Sequence, residues 1–247
     1  MPSPHLSVVI QAFNEATRII PTLEDVVEHL HDRPYTWEVI VVDDGSSDAT
    51  GRLVADWSAA HPGVRLVTMP HKGKGWAVRQ GMLEAEGEYA FMCDADSAMP
   101  IRWLDNFLVE MDSGYDIVIG SREIAGAMRM NEPVYRHVMG RVFNWIVRLL
   151  AVRGVKDTQC GYKLFKREAA LDLFSVQRSV GFGFDVEILY LARKKGLDVL
   201  EMPIEWYHRQ SSKVRPGTDA FLMMRDTLLV RWNDMRGAYS ELSRRSS

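Results

Sequence analysis

Short, nearly uninterrupted apolar runs alternate with longer segments whose apolar residues recur every three to four positions across the first 120 residues. Leu6-Ser7-Val8-Val9-Ile10 reads as a strand, and residues 16–31 carry Ile19, Ile20, Leu23, Val26, Val27 and Leu30 at helical spacing. Residues 37–42 predict a second strand and residues 50–60 a second helix; residues 64–68 predict a third strand, followed by a glycine-rich turn and a helix over 75–85. Tyr89-Ala90-Phe91-Met92-Cys93 is the fourth strand. Strands that alternate with helices, and that are apolar on both faces, predict an α/β fold: a mainly parallel twisted sheet with helices on both faces.

Beyond Asp96 the pattern changes. Residues 103–111 predict a helix and residues 116–120 a strand running into Ser121-Arg122. Residues 131–152 predict a helix whose polar side chains His137, Arg141, Asn144 and Arg148 share one narrow face, with Phe143 and Trp145 among the apolar remainder. That pattern fits an interfacial amphipathic helix at a membrane surface or a helix sandwiched in a core or dimer interface, and residues 221–232 have the same two readings. Residues 207–219 are polar and cationic and predict a loop. The division expected is a domain over residues 1–215, with a first half to about residue 120 and a second from 121, followed by an amphipathic helical extension over 216–247.

Composition narrows the class. With 47% hydrophobic and 26% charged residues the chain is of ordinary globular type. No run approaches the roughly 20 apolar residues of a membrane span, and no signal peptide is recognisable, so a cytoplasmic location is expected. The two cysteines, Cys93 and Cys160, exclude a disulfide scaffold and a cysteine zinc site. The net charge of −3 hides an asymmetry: residues 1–120 hold 8 Lys/Arg against 19 Asp/Glu, residues 121–247 hold 22 against 14. An acidic half suits a metal, and a basic half suits phosphate or an anionic membrane surface. No nucleic-acid-binding signature accompanies the basic half, so nucleic acid is not an expected partner.

Candidate chemistry lies where the strands end. Asp94-Ala95-Asp96 places two carboxylates at the C-terminal edge of the fourth strand, where α/β sheets form ligand crevices. Hard cations such as Mg²⁺ or Mn²⁺ are held by one or two such carboxylates, with water and substrate phosphates completing the shell, so a diphosphate-bearing substrate is expected. Asp43-Asp44 ends the second strand in the same way; Ser47 or Asp48 can cap the next helix, but that leaves the pair at 43 and 44 to contact a nucleotide base or ribose. Lys72 and Lys74, set between glycines before a helix, suit an anion.

In order, Val8-Val9-Ile10-Gln11-Ala12-Phe13-Asn14-Glu15, Val41-Val42-Asp43-Asp44-Gly45-Ser46, His71-Lys72-Gly73-Lys74-Gly75 and Asp94-Ala95-Asp96 resemble the family 2 glycosyltransferases of GT-A fold. Gly120-Ser121-Arg122, the stretch from Asp157 to Phe165, and Gly183-Phe184-Asp185-Val186-Glu187 resemble the polyprenyl-phosphate sugar transferases, in particular the dolichyl-phosphate glucosyltransferase type. The resemblance implies that Ala12, Phe13 and Glu15 border the nucleotide, with Val42 and Asp44 at base and ribose. It implies Lys72 and Gly75 at the donor diphosphate, Asp94, Ala95 and Asp96 at the metal and sugar, and Arg209 and Lys213 on a loop closing over the donor. Asp94 and Asp96 would bind the metal, and Arg122 and Arg136 the acceptor phosphate. Two positions depart from the mannosyl branch: Ala98 stands where a metal-binding glutamine is usual, and Gly140 where a serine is.

The expected reaction is an inverting, metal-dependent hexosyl transfer from a nucleotide sugar, with UDP-glucose preferred, to a polyprenyl phosphate at the cytoplasmic face of a membrane. An anionic phosphate acceptor needs no strong base. A soluble hydroxyl acceptor would need one, and Asp157, Asp185 and Glu187 are the candidates. GDP-mannose as donor, and a non-catalytic nucleotide-sugar binding module, are the remaining alternatives.

Overall fold

The computed structural model describes residues 3–131, 141, 145, 147, 151–152, 154–208 and 218–244. Its first part runs β1 (Leu6–Ala12), α1 (Ile19–His31), β2 (Trp37–Asp43), α2 (Thr50–Ser58), β3 (Val64–Thr68), α3 (Lys74–Glu84), β4 (Tyr89–Asp94) and α4 (Trp103–Asp112). Next come β5 (Ile117–Ser121), β6 (Met128–Met130), β7 (Lys163–Lys166), α5 (Arg167–Val176), α6 (Phe184–Lys195), β8 (Val199–Pro203), β9 (Glu205–Tyr207), α7 (Thr218–Met235) and α8 (Ser240–Arg244). One sheet has the order β3-β2-β1-β4-β7-β5-β8, and β6 pairs with β9 in a small second sheet.

Strand side chains alternate between two cores. In β4, Ala90 and Met92 join a cluster with α3, α5 and α6, whereas Tyr89, Phe91 and Cys93 join one with α1, α2 and α4. Both faces being covered explains why the strand reads as continuously apolar. Helix α1 buries Ile19, Leu23, Val26 and Leu30 along one stripe. Helix α6 begins with Asp185 and Glu187 in its first turn, ends with Arg193, Lys194 and Lys195, and stops at left-handed Gly196, each favourable to a helix end.

The sheet departs from a simple parallel reading at β7, which lies antiparallel between β4 and β5. Its four residues send Leu164 to one core and Phe165 to the other, a run too short to announce itself by periodicity. The C-terminal segment is part of the structure: Tyr239 and Leu242 are buried in the α3, α5 and α6 core. The helix expected over 131–152 falls almost wholly outside the described residues; of it Arg141, Trp145 and Val147 are helical, with Trp145 exposed and Val147 buried.

Candidate active site

Sheet register assembles the site. Strands β1, β2 and β4 are parallel, with Gln11 opposite Asp94 and Ala12 opposite Asp43, so the acidic steps of two strands emerge at one edge. Asp94 is half-buried there, and its Oδ1 accepts hydrogen bonds from Gln11 Nε2 at 2.6 Å and Lys74 Nζ at 2.7 Å. Burial acts to raise its pKa, but the charge and hydrogen bond of Lys74, together with the Gln11 hydrogen bond and the Lys163 charge, outweigh burial and hold the carboxyl below its ordinary value. Asp96 is different. Its Oδ1 accepts from the Ala98 backbone N–H at 3.1 Å, and among the described residues no cation lies within ion-pair distance. Burial, and then the charge of Asp94, push its carboxyl up. Thr22 braces the turn, its hydroxyl donating to the Ala95 carbonyl at 3.0 Å, beside Ser97 in a left-handed conformation.

A carboxylate without an ion-pair partner among the described residues, beside one paired with a lysine, is a donor set that fits a hard divalent ion. No group of three or more His, Cys, Asp or Glu side chains able to hold a metal exists among the described residues. The protein would therefore supply Asp96, with Asp94 beside it, and leave the remaining positions to substrate phosphate and water.

Alternating charges continue inward. Lys163 Nζ, buried, donates to Asp185 Oδ1 at 2.5 Å and to the Cys160 carbonyl. Arg122 grips the buried Asp157 through Nε–H to Oδ2 at 2.7 Å and Nη2–H to Oδ1 at 2.9 Å, with its backbone N–H adding a third bond. The same guanidinium lies 5.3 Å from the Trp206 ring. A small cleft of about 40 Å³ opens beside these parts, bordered by Asp94, Asp96, Arg122, Gln159, Gly161 and Trp206. Gly161 is what lets it form: a Cβ there would fall on the Asp94 carboxylate. Its backbone is outside the left-handed region, so Gly161→Ala is tolerated by the chain but not by Asp94. We expect that variant to keep its circular dichroism spectrum and lose about tenfold or more in nucleoside-diphosphate affinity by calorimetry.

On the other side of Asp94 the glycine turn folds onto Asp44. Asp44 Oδ1 accepts from Lys72 N–H and Oδ2 from Gly73 N–H, both at 2.9 Å, and His71 Nδ1 lies 2.8 Å from Oδ2. The His71 ring stacks on Phe13 at 4.1 Å between centroids. Lys72 Nζ sits over the Trp76 ring. Glu15 pairs with Arg18, and its backbone N–H donates to Thr50 Oγ1 at 2.7 Å. Asp48 takes the Thr50 N–H at 2.9 Å at the start of α2.

The side chain of Val42, expected at the base and ribose, is fully buried in the core against α3. Ala12 is buried as well and acts through its carbonyl, which accepts the Asp44 N–H at 2.9 Å; the Ala95 side chain is buried too. Asp44, expected at the base and ribose, engages the backbone of the 71–73 turn and so fixes the stacked pair of His71 and Phe13. Gly75 admits close approach of protein, since a Cβ there would stand 2.7 Å from the Ser179 and Gly181 carbonyls. Asp157 and Asp185 are bound in ion pairs, and Glu187 is buried and hydrogen-bonded to backbone, so none is placed as a proton acceptor at the cleft. Arg136, Arg209 and Lys213 lie outside the described residues. Lys74, expected to suit an anion, is engaged by the Asp94 carboxylate, and Gln11, His71, Gly161, Lys163 and Trp206 enter the site without having been assigned roles.

A mixed α/β sheet whose parallel strands carry two acidic ends and a glycine-lysine turn at one edge has the architecture of a GT-A glycosyltransferase. The chain belongs to glycosyl transferase family 2, whose sequence model matches residues 7–174. A dolichyl-phosphate beta-glucosyltransferase of Trichomonas vaginalis is 39% identical over 219 residues, 84% of this chain and 65% of that protein. The dolichyl-phosphate beta-glucosyltransferase of Dictyostelium discoideum is 32% identical, covering 95% of this chain and 76% of its own length. Among solved structures, glucosyl-3-phosphoglycerate synthase from Mycobacterium tuberculosis with phosphoglyceric acid superposes with a TM-score of 0.68 at 20% identity, over 92% of this chain and 80% of that one. The same enzyme with Mn²⁺, UDP-glucose and phosphoglyceric acid gives 0.66 at 21% identity, over 92% and 79%.

Proposed function

We propose that this protein transfers glucose, with inversion, from UDP-glucose to a dolichyl or other polyprenyl phosphate. The observation that carries this reading is Asp96, a carboxylate with no ion-pair partner among the described residues, beside the Lys74-paired Asp94 and opening on the same cleft that Arg122 borders. Relatives at 32–39% identity act on dolichyl phosphate, and a protein of the same fold holds Mn²⁺ and UDP-glucose. A divalent ion held by Asp96 and Asp94 would stabilise the charge that builds on the departing nucleoside diphosphate.

The chain's own groups do the positioning. Gln11 and Lys74 hold Asp94 in one orientation toward the sugar, and the 71–73 turn, its Lys72 and Gly73 N–H groups engaged by Asp44, carries the Lys72 side chain to the diphosphate. Arg122, braced by Asp157 and backed by Trp206, presents positive charge to the acceptor. Because the three late carboxylates are engaged, the cleft suits a nucleophile that is already anionic, such as a phosphate monoester, over a hydroxyl that must lose a proton.

Peripheral attachment to the cytoplasmic face of a membrane completes the proposal. No helix among the described residues is long and apolar enough to cross a membrane. Helix α7 instead exposes Leu222, Leu228, Leu229, Trp232 and Met235 along one face, with exposed Arg225, Arg231 and Arg236 beside them. An apolar stripe bordered by arginines suits an anionic lipid surface.

Incubation with UDP-glucose or GDP-mannose and dolichyl phosphate, followed by product mass, tests the reaction. One hexose added to the lipid phosphate from UDP-glucose alone is expected; no lipid product, or product only on soluble alcohols, overturns it. In flotation with phosphatidylserine vesicles, the pair Leu229→Ser and Trp232→Ser should lower the bound fraction about tenfold or more. Its turnover of a short, water-soluble polyprenyl phosphate should be unchanged.

A further inference from the structure

Glu187 is fully buried in the first turn of α6, and among the described residues it has no cationic partner within ion-pair distance. All its bonds go to neutral donors. Oε1 accepts the Arg178 backbone N–H at 3.0 Å and the Tyr239 hydroxyl at 2.6 Å, and Oε2 accepts the Ser179 N–H at 2.7 Å. Tyr239 is itself fully buried, in the segment between α7 and α8. Arg178 Nη2 closes a second link by donating to the Ala238 carbonyl at 3.1 Å.

The loop that Glu187 clamps rests directly on the glycine turn. Gln177 Nε2 donates to the Gly75 carbonyl at 2.8 Å and to the Ser179 carbonyl at 2.7 Å, and the Val180 carbonyl accepts the Trp76 N–H at 3.1 Å. Contact is so close that no side chain fits: a Cβ on Gly73 would stand 2.6 Å from the Val180 carbonyl oxygen. Gly73, with φ of +123°, and Gly75 flank Lys74, whose ammonium holds Asp94. An unbroken series of bonds thus runs from Tyr239 through Glu187 and residues 178–180 to the turn that presents Lys72 and Lys74.

We propose that Glu187, oriented by Tyr239, is a positioning residue for the donor: it holds the 177–181 loop against the 73–76 turn and so sets Lys74 on Asp94. The inference rests on the donor reading above and extends it to a part of the chain far from the acidic steps in sequence. A buried carboxylate anchored only by backbone and a phenol is a costly element, and the aligned N–H groups of the α6 first turn make it tolerable. Burial, and then the Glu187 charge, push the Tyr239 hydroxyl up, so it remains a donor throughout the working pH range.

The test uses the full-length chain, its Tyr239→Phe and Glu187→Gln variants, calorimetric titration with UDP and Mn²⁺, and amide hydrogen exchange without ligand. Wild-type protein should bind UDP. Each variant should bind it about tenfold more weakly, while the KM for polyprenyl phosphate changes by less than about twofold. Exchange should accelerate at residues 73–77 and 178–180 and remain unchanged in β1 and β4. Wild-type UDP affinity in both variants overturns the inference, as does exchange that rises uniformly across the sheet. Tyr239→Phe removes one oxygen from a ring that stays in place, so it answers the question even if Glu187→Gln does not fold. Failure of the wild-type chain to bind UDP sinks the donor reading and this inference with it; unchanged variants of a UDP-binding chain sink only the inference.

Discussion

Asp96→Asn should lower glycosyl transfer by about three orders of magnitude or more, the scale expected when the charge stabilising a leaving group is withdrawn. The fold should survive. Asparagine keeps the shape of the side chain and an oxygen for the Ala98 N–H, and it removes a carboxylate that burial and Asp94 already disfavour. Its melting temperature should therefore equal or slightly exceed that of the wild type. Asp94→Asn makes the contrasting case: it strips Lys74 of the counter-charge 2.7 Å away and should cost stability as well as activity. Calorimetric UDP titration with and without Mn²⁺ separates the two. UDP affinity that still rises with Mn²⁺ in Asp96→Asn would remove the proposed metal role.

How much of this was visible in the sequence depends on whether a feature is written locally. The strands β1, β2 and β4 are, because both faces are covered and their central residues are nearly all apolar. The acidic steps at their ends are legible for the same reason, since a carboxylate directly after such a strand must emerge at the edge. What could not be read is which neighbour answers each charge. Gln11 meets Asp94 only because β1 and β4 pair in that register. Gly161 and Lys163 reach the site because β7 inserts antiparallel between β4 and β5, a placement that its four residues do not signal. Val42, expected at the base and ribose, has its side chain fully buried in the core against α3, a packing that its place beside Asp43 does not announce.

Arg122→Ala should be among the most damaging substitutions to stability, costing about 3–5 kcal/mol, because it leaves Asp157 buried without its charge partner. For a chain of this size that is a fall of roughly 10 °C in melting temperature. The pH response identifies the cause. In the wild type, burial pushes the Asp157 carboxyl up, but the Arg122 charge and its three hydrogen bonds outweigh burial and bring the value to about 2, below the ordinary 3.8. A depressed carboxylate contributes stability that is complete above the unfolded value and is lost as pH falls through the folded one. That amounts here to about 2 kcal/mol, disappearing between roughly pH 4 and pH 2. Without Arg122 the sign reverses: burial dominates, the folded carboxyl titrates above its unfolded value, and acidification from pH 7 toward 5 should stabilise the variant. Asp157→Asn should abolish the wild-type acid transition and, by loosening the guanidinium that Trp206 backs, raise the KM for lipid phosphate more than that for UDP-glucose. Urea denaturation across pH 2–7 measures the first effect and steady-state kinetics the second. Parallel pH profiles for the wild type and Arg122→Ala would show that this pair does not govern acid stability.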